Sequence, residues 1–142
     1  GVTVSRSRDE CIAHIKQLAK ETEETLGLDS RVTNDDILVF DEYIGEGYSV
    51  PTLEGIEAIR LVARTEGIFL DPIYTGKAMA GLTDLVKKRH IGPDKTVIFL
   101  HTGGSPSIFS NSSVILDSNN STDSIIEKDT SSNVNLKSSQ NI

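Results

Sequence analysis

The sequence predicts an α/β domain: a parallel sheet flanked by helices. Short apolar runs recur at Ile37–Phe40, Ile68–Leu70 and Thr96–Leu100. Between them lie stretches whose apolar residues repeat at helical spacing. The runs are continuous rather than alternating, which is the pattern of strands covered on both faces.

The elements follow in chain order. Ser7-x-x-Glu10 is a capping box, in which each side chain satisfies an orphan backbone donor. Ile12, Ile15, Leu18, Ala19, Thr22 and Leu26 then recur at helical spacing, and Gly27 can end the helix. Ile37-Leu38-Val39-Phe40 reads as a strand ending at Asp41-Glu42. Ser49-Val50-Pro51-Thr52 offers cap and first-turn residues for a second helix, with Leu53, Ile56, Ile59, Val62 and Ala63 as its apolar stripe. Gly67 closes that helix, Ile68-Phe69-Leu70 is the next strand, and Asp71-Pro72 stops it. A third helix is expected from about Gly76 to Lys88, with Ala78, Met79, Leu82, Leu85 and Val86 on one face. Lys87, Lys88 and Arg89 complement the dipole at its end. After a Gly92-Pro93-Asp94 turn, Thr96–Leu100 is a third strand, running into His101-Thr102-Gly103-Gly104.

Composition narrows the function classes. The 142 residues carry a net charge of −7, with no basic stripe to displace counterions from phosphates, so no nucleic-acid partner is expected. No apolar run approaches the ~20 residues that span a bilayer, and no membrane partner is expected. The single cysteine, Cys11, cannot form an internal disulfide. That suggests an intracellular, reducing setting, cytoplasmic or mitochondrial. His14, His90 and His101 with Cys11 have no metal-ligand spacing, so no metal is expected. The chain opens on Gly1-Val2-Thr3-Val4 without Met, which reads as the end of a strand and therefore as a fragment.

Two zones are expected. Residues 1–110 form the domain. Residues 111–142 are rich in Ser, Asn, Asp and Thr, with no aromatic residue, Gly or Pro, and are expected to be a disordered tail.

Ligands of parallel α/β sheets sit at the carboxyl ends of strands. Three segments occupy that place: Asp41–Tyr48, Asp71–Ala78 and His101–Pro106. Each combines glycine with hydroxyl-bearing or charged side chains, and Tyr74-Thr75-Gly76 would sit at a helix N-terminus, where free amides favour an anion or polar ring. These residues point to a polar ligand site; the alternative is three ordinary connecting loops.

Thr65-Glu66-Gly67-Ile68-Phe69-Leu70-Asp71-Pro72-Ile73-Tyr74-Thr75-Gly76-Lys77-Ala78 resembles a block of the D-cysteine desulfhydrase and aminocyclopropane-carboxylate deaminase family. Asp41-Glu42-Tyr43 through Tyr48 and Pro51 resembles that family's preceding active-site loop, and Phe99-Leu100-His101-Thr102-Gly103-Gly104 its late glycine loop. The resemblance covers about Gly1 to Ser110. It implies a tryptophan-synthase-β-like fold, incomplete here, that holds pyridoxal phosphate between two domains. It also implies a small amino-acid substrate and a homodimeric parent. Tyr48 and Tyr74 match two active-site tyrosines that assist proton movement at the substrate's carbon framework. Thr102 matches a threonine whose hydroxyl bonds the pyridine nitrogen, and Gly103 and Gly104 complete the cofactor loop.

Thr75 and Thr102 favour the desulfhydrase branch, because the deaminases carry Glu after the tyrosine and an apolar residue in the late loop. The implied parent reaction is β-elimination of D-cysteine to pyruvate, sulfide and ammonia, with the deaminase reaction as the alternative. In the family the lysine that binds the cofactor lies in an N-terminal segment outside the matched region. Lys77 is therefore read as a helix-start lysine making a local polar contact. Without that N-terminal segment the chain alone is expected to be inactive, a truncated product or a pseudoenzyme serving as an interaction module.

Overall fold

The computed structural model describes residues 1–29 and 32–117. Helix α1 spans Arg8–Leu26 and starts at the expected Ser7–Glu10 capping box. It ends at Gly27, whose left-handed backbone (φ 63°) lets its N–H reach Glu23 O. None of its residues is buried, and its apolar side remains open, with Leu18 48% exposed. Its N-terminus is anchored instead by polar contacts. Arg8 N donates to Asp41 Oδ2 at 2.9 Å, and the Arg8 guanidinium meets Glu42 Oε1 at 2.8 Å.

A 3₁₀ turn at Asn34–Asp36 leads into the first expected strand. There Ile37 and Val39 are buried while Leu38 is exposed, so this run packs on one face only. Among the described residues the strand pairing is a single parallel bridge between Val2 and Phe40. Phe40 N donates to Gly1 O at 2.9 Å, and Thr3 N to Phe40 O at 3.0 Å. The runs 68–70 and 96–100 have no regular secondary structure and no ladder partner among the described residues, and Ile98 is 90% exposed. An apolar run becomes a sheet strand only when a neighbour takes up its N–H and C=O groups. These described residues therefore do not form the expected parallel sheet.

Helix α2 (Leu53–Glu66) is capped by Thr52, whose Oγ1 accepts from Gly55 N at 3.1 Å, and is closed by Gly67. It buries Ile56, Ala58, Ile59 and Val62. Helix α3 (Thr75–Lys87) packs against it. The buried residues of α3 are not the expected stripe but Thr75, Gly76, Lys77, Ala80 and Gly81. Close approach explains this: a Cβ on Gly76 would lie 2.7 Å from Asp71 O and 2.9 Å from Ile59 Cδ1. Met79, Leu82 and Leu85 are only partly buried. The helix stops one residue short of the expected end, as Arg89 turns left-handed (φ 59°) and Lys88 pairs with Asp84 at 2.7 Å.

A short helix α4 (Ser107–Ser110) ends at the expected domain boundary, and one further helix, α5 (Ser112–Leu116), lies beyond it. Ile115 of α5 joins Ile59, Val62 and Leu70 in the core, with Met79, Phe99 and Ile108 packed around them. Burying an aliphatic side chain of this size contributes about 1.5–3 kcal/mol, which offsets the poor helix-forming power of so short a segment. The guanidinium of Arg60, on α2, holds the end of α5. Its Nε donates to Ile115 O at 2.6 Å, and its Nη2 donates to Val114 O and Asp117 O. The rest of the expected tail, 118–142, lies outside the described residues.

Candidate functional site

The three segments converge around the N-terminus of α3, and Asp71 organises them. Its side chain is fully buried. Oδ2 accepts from Ile73 N and Tyr74 N, each at 2.8 Å. Oδ1 accepts from Thr75 N at 2.7 Å and Thr75 Oγ1 at 2.6 Å, and Thr75 Oγ1 in turn accepts from Asp71 N at 2.8 Å. Burial pushes the carboxyl pKa up, but the bonds from Thr75, Tyr74 and Ile73 outweigh it and hold the group below its ordinary value. Asp71 is thus a buried anion whose four donors complete the start of α3. Sequence reasoning took it only for a strand stop. Asp71-Pro72 reads as a turn, but the helix begins only after Tyr74, so no local signal marked the carboxylate as its anchor.

The late loop docks on this anion. A Cβ on Gly104 would fall 2.7 Å from Asp71 Cγ, and Gly103 and Gly104 both take positive φ (96° and 90°), so glycine is required at Gly104 on both counts. His101 fixes the loop's direction: its Nδ1 accepts from Gly103 N at 3.0 Å, so its Nε2 carries the proton donated to Phe69 O at 3.0 Å. Ser105 Oγ donates to the same carbonyl at 3.2 Å. Thr102 is exposed, and its hydroxyl has no hydrogen-bond partner among the described residues.

The first loop also meets α3. The Tyr48 and Tyr74 hydroxyls hydrogen-bond to each other, with their rings edge-to-face at 6.1 Å between centroids and 62° between planes. Both rings are substantially exposed. The bond to Tyr48 raises the Tyr74 pKa, with lesser contributions from burial and the nearby Tyr48 and Asp71 charges, so Tyr74 stays protonated at neutral pH. Lys77 is fully buried, and its Nζ donates to Ile44 O at 2.7 Å and Gly47 O at 3.1 Å. The polar contact expected of it is thus made, but not locally: it reaches back 33 and 30 positions, to the loop that carries Tyr48. Further along α3, Tyr43 Oη donates to Asp84 Oδ2 at 2.7 Å, which pushes the Tyr43 pKa up to about 12.

A concavity of about 990 Å³ opens elsewhere, lined by Tyr43, by Glu57, Arg60 and Arg64 of α2, and by Asp84 and Lys88 at the end of α3, among others. It includes none of Tyr48, Tyr74, Thr102, Gly103 or Gly104. Among the described residues no cluster of His, Cys, Asp or Glu has the makings of a metal site, and no helix is long and apolar enough to cross a membrane.

Comparison with known proteins places this arrangement. The sequence profile of the family described as "Pyridoxal-phosphate dependent enzyme" matches residues 2–103, which takes in all three converging segments up to Gly103. The chain belongs to the pyridoxal-phosphate dependent enzyme family. That family uses pyridoxal phosphate as its cofactor. A solved relative, described as an ACC deaminase homologue, superposes with a TM-score of 0.70 at 36% identity over 82% of this chain. The match takes up 34% of that structure's own chain, so the chain spans about a third of its relative's length. In this pyridoxal-phosphate family member the Asp71–Thr75 turn joins Tyr74 of the tyrosine pair to the glycine loop, which packs on Asp71 at Gly104.

Proposed function

We propose that this chain is part of a pyridoxal-phosphate lyase whose parent reaction is β-elimination of D-cysteine to pyruvate, sulfide and ammonia. The observation that carries this reading is the bond between the Tyr48 and Tyr74 hydroxyls, at the mouth of two loops that belong to a cofactor-binding family. Either phenol can donate to the other, so a proton taken up at one oxygen can be released at its neighbour. Such a pair suits proton movement at the carbon framework of a small amino acid.

Thr102, Gly103 and Gly104 are the residues that would hold the cofactor. Thr102 and Gly103 fit it: the Thr102 hydroxyl is uncommitted, and the space beside Gly103 where a Cβ would project is open, while Gly104 seats the loop on Asp71. When bound, pyridoxal phosphate supplies an electron sink for the bonds broken at the substrate's α-carbon. A neutral hydroxyl at the ring nitrogen makes that sink weaker than a carboxylate would. β-Elimination tolerates the weaker sink, because the leaving group departs from the adjacent carbon. Thr75 supports the same branch. Where the deaminases carry Glu after the tyrosine, this chain has a hydroxyl, and that hydroxyl is spent on Asp71.

In the parent, the apolar runs 37–40, 68–70 and 96–100 are taken as strands of a parallel sheet that further chain completes. The parent is taken to be a homodimer, and the chain on its own to be inactive. The deaminase reaction is the second reading, favoured by the likeness to an ACC deaminase homologue.

The test uses the full-length parent with pyridoxal phosphate. D-cysteine, L-cysteine and aminocyclopropane carboxylate are supplied in turn while sulfide and keto acid are followed. Sulfide and pyruvate from D-cysteine are expected. Ketobutyrate from the cyclopropane substrate without sulfide would move the parent to the deaminase reaction.

A further inference from the structure

The geometry points to Lys77 as a positioning residue: its buried ammonium straps the loop carrying Tyr48 to the helix carrying Tyr74, and so sets the contact between the two phenols. A lysine with no exposed surface normally has an anionic partner. This one has none within ion-pair distance among the described residues, where the ion pairs involve Arg8, Lys20, Lys88 and Lys95. Its Nζ donates instead to two backbone carbonyls, Ile44 O and Gly47 O. The second belongs to the peptide group that joins Gly47 to Tyr48. Lys77 itself stands one turn of α3 beyond Tyr74. One side chain thus ties the backbone immediately before one phenol to the helix that begins at the other.

The loop needs such a tie. Gly45 and Ser49 take left-handed backbones (φ 69° and 68°), a conformation that a serine adopts only when its surroundings impose it. Among the described residues, no hydrogen bond from the loop's own N–H groups holds 45–49; the nearest is a long one of 3.5 Å from Ile44 N to Asp41 O. Burial disfavours the charged lysine and lowers its pKa. A methionine would fill the same volume without that penalty, so packing alone does not account for an ammonium here.

The inference rests on the proposed role of the tyrosine pair only for its catalytic consequence. The strap can be tested on this chain without cofactor. The phenols are titrated by ultraviolet absorbance in the wild type, Lys77→Met, Lys77→Gln and Lys95→Met, with helix content checked by circular dichroism. Removing a nearby positive charge by itself raises a phenol's pKa, whereas separating the phenols lowers it, so the two effects have opposite signs. In Lys77→Met the Tyr74 midpoint is expected to fall toward the ordinary value of about 10. Lys77→Gln, which can still donate, is expected to recover part of the shift. Lys95→Met is expected to change nothing, and Tyr43 to stay at about 12 throughout.

An unchanged or raised Tyr74 midpoint in folded Lys77→Met overturns the inference. If the variants do not fold, the wild type decides by nitrogen-detected NMR. A slowly exchanging lysine ammonium coupled to the Ile44 and Gly47 carbonyl carbons supports the strap, and its absence overturns it. In the loaded parent, Lys77→Met is expected to lose on the order of 10–100-fold in kcat/KM, the scale of a misplaced catalytic group. If Tyr74→Phe retains full turnover, the proposed function fails, while the titration result on the strap stands.

Discussion

Asp71 and Thr75 exchange hydrogen bonds in both directions. The Thr75 hydroxyl donates to Oδ1 at 2.6 Å, while the Asp71 amide donates to the same hydroxyl oxygen at 2.8 Å. Removing that hydroxyl leaves a buried amide without an acceptor and a buried carboxylate short of a donor. Thr75→Val is expected to destabilise the chain by about 1–3 kcal/mol, and Thr75→Ser by much less. Urea unfolding followed by circular dichroism measures both.

The Asp71 carboxyl is held below its ordinary pKa in the folded state, so its contribution to stability has a defined sign. It is fully present above the unfolded-state value of about 3.9 and is lost as pH falls through the lower folded-state value. The stability gap between wild type and Asp71→Asn is therefore expected to be widest near neutrality and to shrink below about pH 4. Unfolding curves collected from pH 2 to 7 check this. A gap that does not vary with pH would show that the charge on Asp71 contributes nothing.

Gly103 and Gly104 share a positive φ but differ in their surroundings, which separates strain from collision. Gly103→Ala meets open space and pays only for its backbone, about 1 kcal/mol. Gly104→Ala adds a Cβ 2.7 Å from Asp71 Cγ and is expected to lose clearly more, with the 101–105 loop becoming the first site of proteolysis. Thermal melts and limited proteolysis of the two variants give the ranking.

Tyr43 has its pKa raised to about 12 by its bond to Asp84. The stability it lends is fully present below the unfolded-state value of about 10 and disappears as pH rises through 12. Tyr43→Phe is expected to remove the phenol titration near pH 12 from the absorbance curve and to flatten the alkaline loss of stability.

Much of the fold was legible because its signals are local. The Ser7–Glu10 box, Thr52 as cap, and Gly27 and Gly67 as terminators lie where a few neighbouring residues dictate the backbone. The face that α3 buries was not legible. Side-chain hydrophobicity named Leu82, Leu85 and Val86, whereas close approach at Gly76 decided which side packs. Helix α5 was missed for a similar reason. Ser112–Leu116 has weak helical character of its own and is held by Ile59, Val62 and Arg60, all more than 45 positions earlier. At the site, the resemblance picked out Tyr48 and Tyr74, which the fold brings into contact. It also picked out Gly104, although not the carboxylate against which Gly104 packs. Asp71 escaped because its partners become visible only when the turn closes around it.

The clasp of Arg60 on the carbonyls of Val114, Ile115 and Asp117 gives α5 an unusual dependence. A five-residue helix has too little cooperativity to persist by itself, so it forms and melts together with the longer helix that supplies the guanidinium. The amide protons of α5 therefore act as a remote gauge of α2: their rate of exchange with heavy water reports how often that helix lets go.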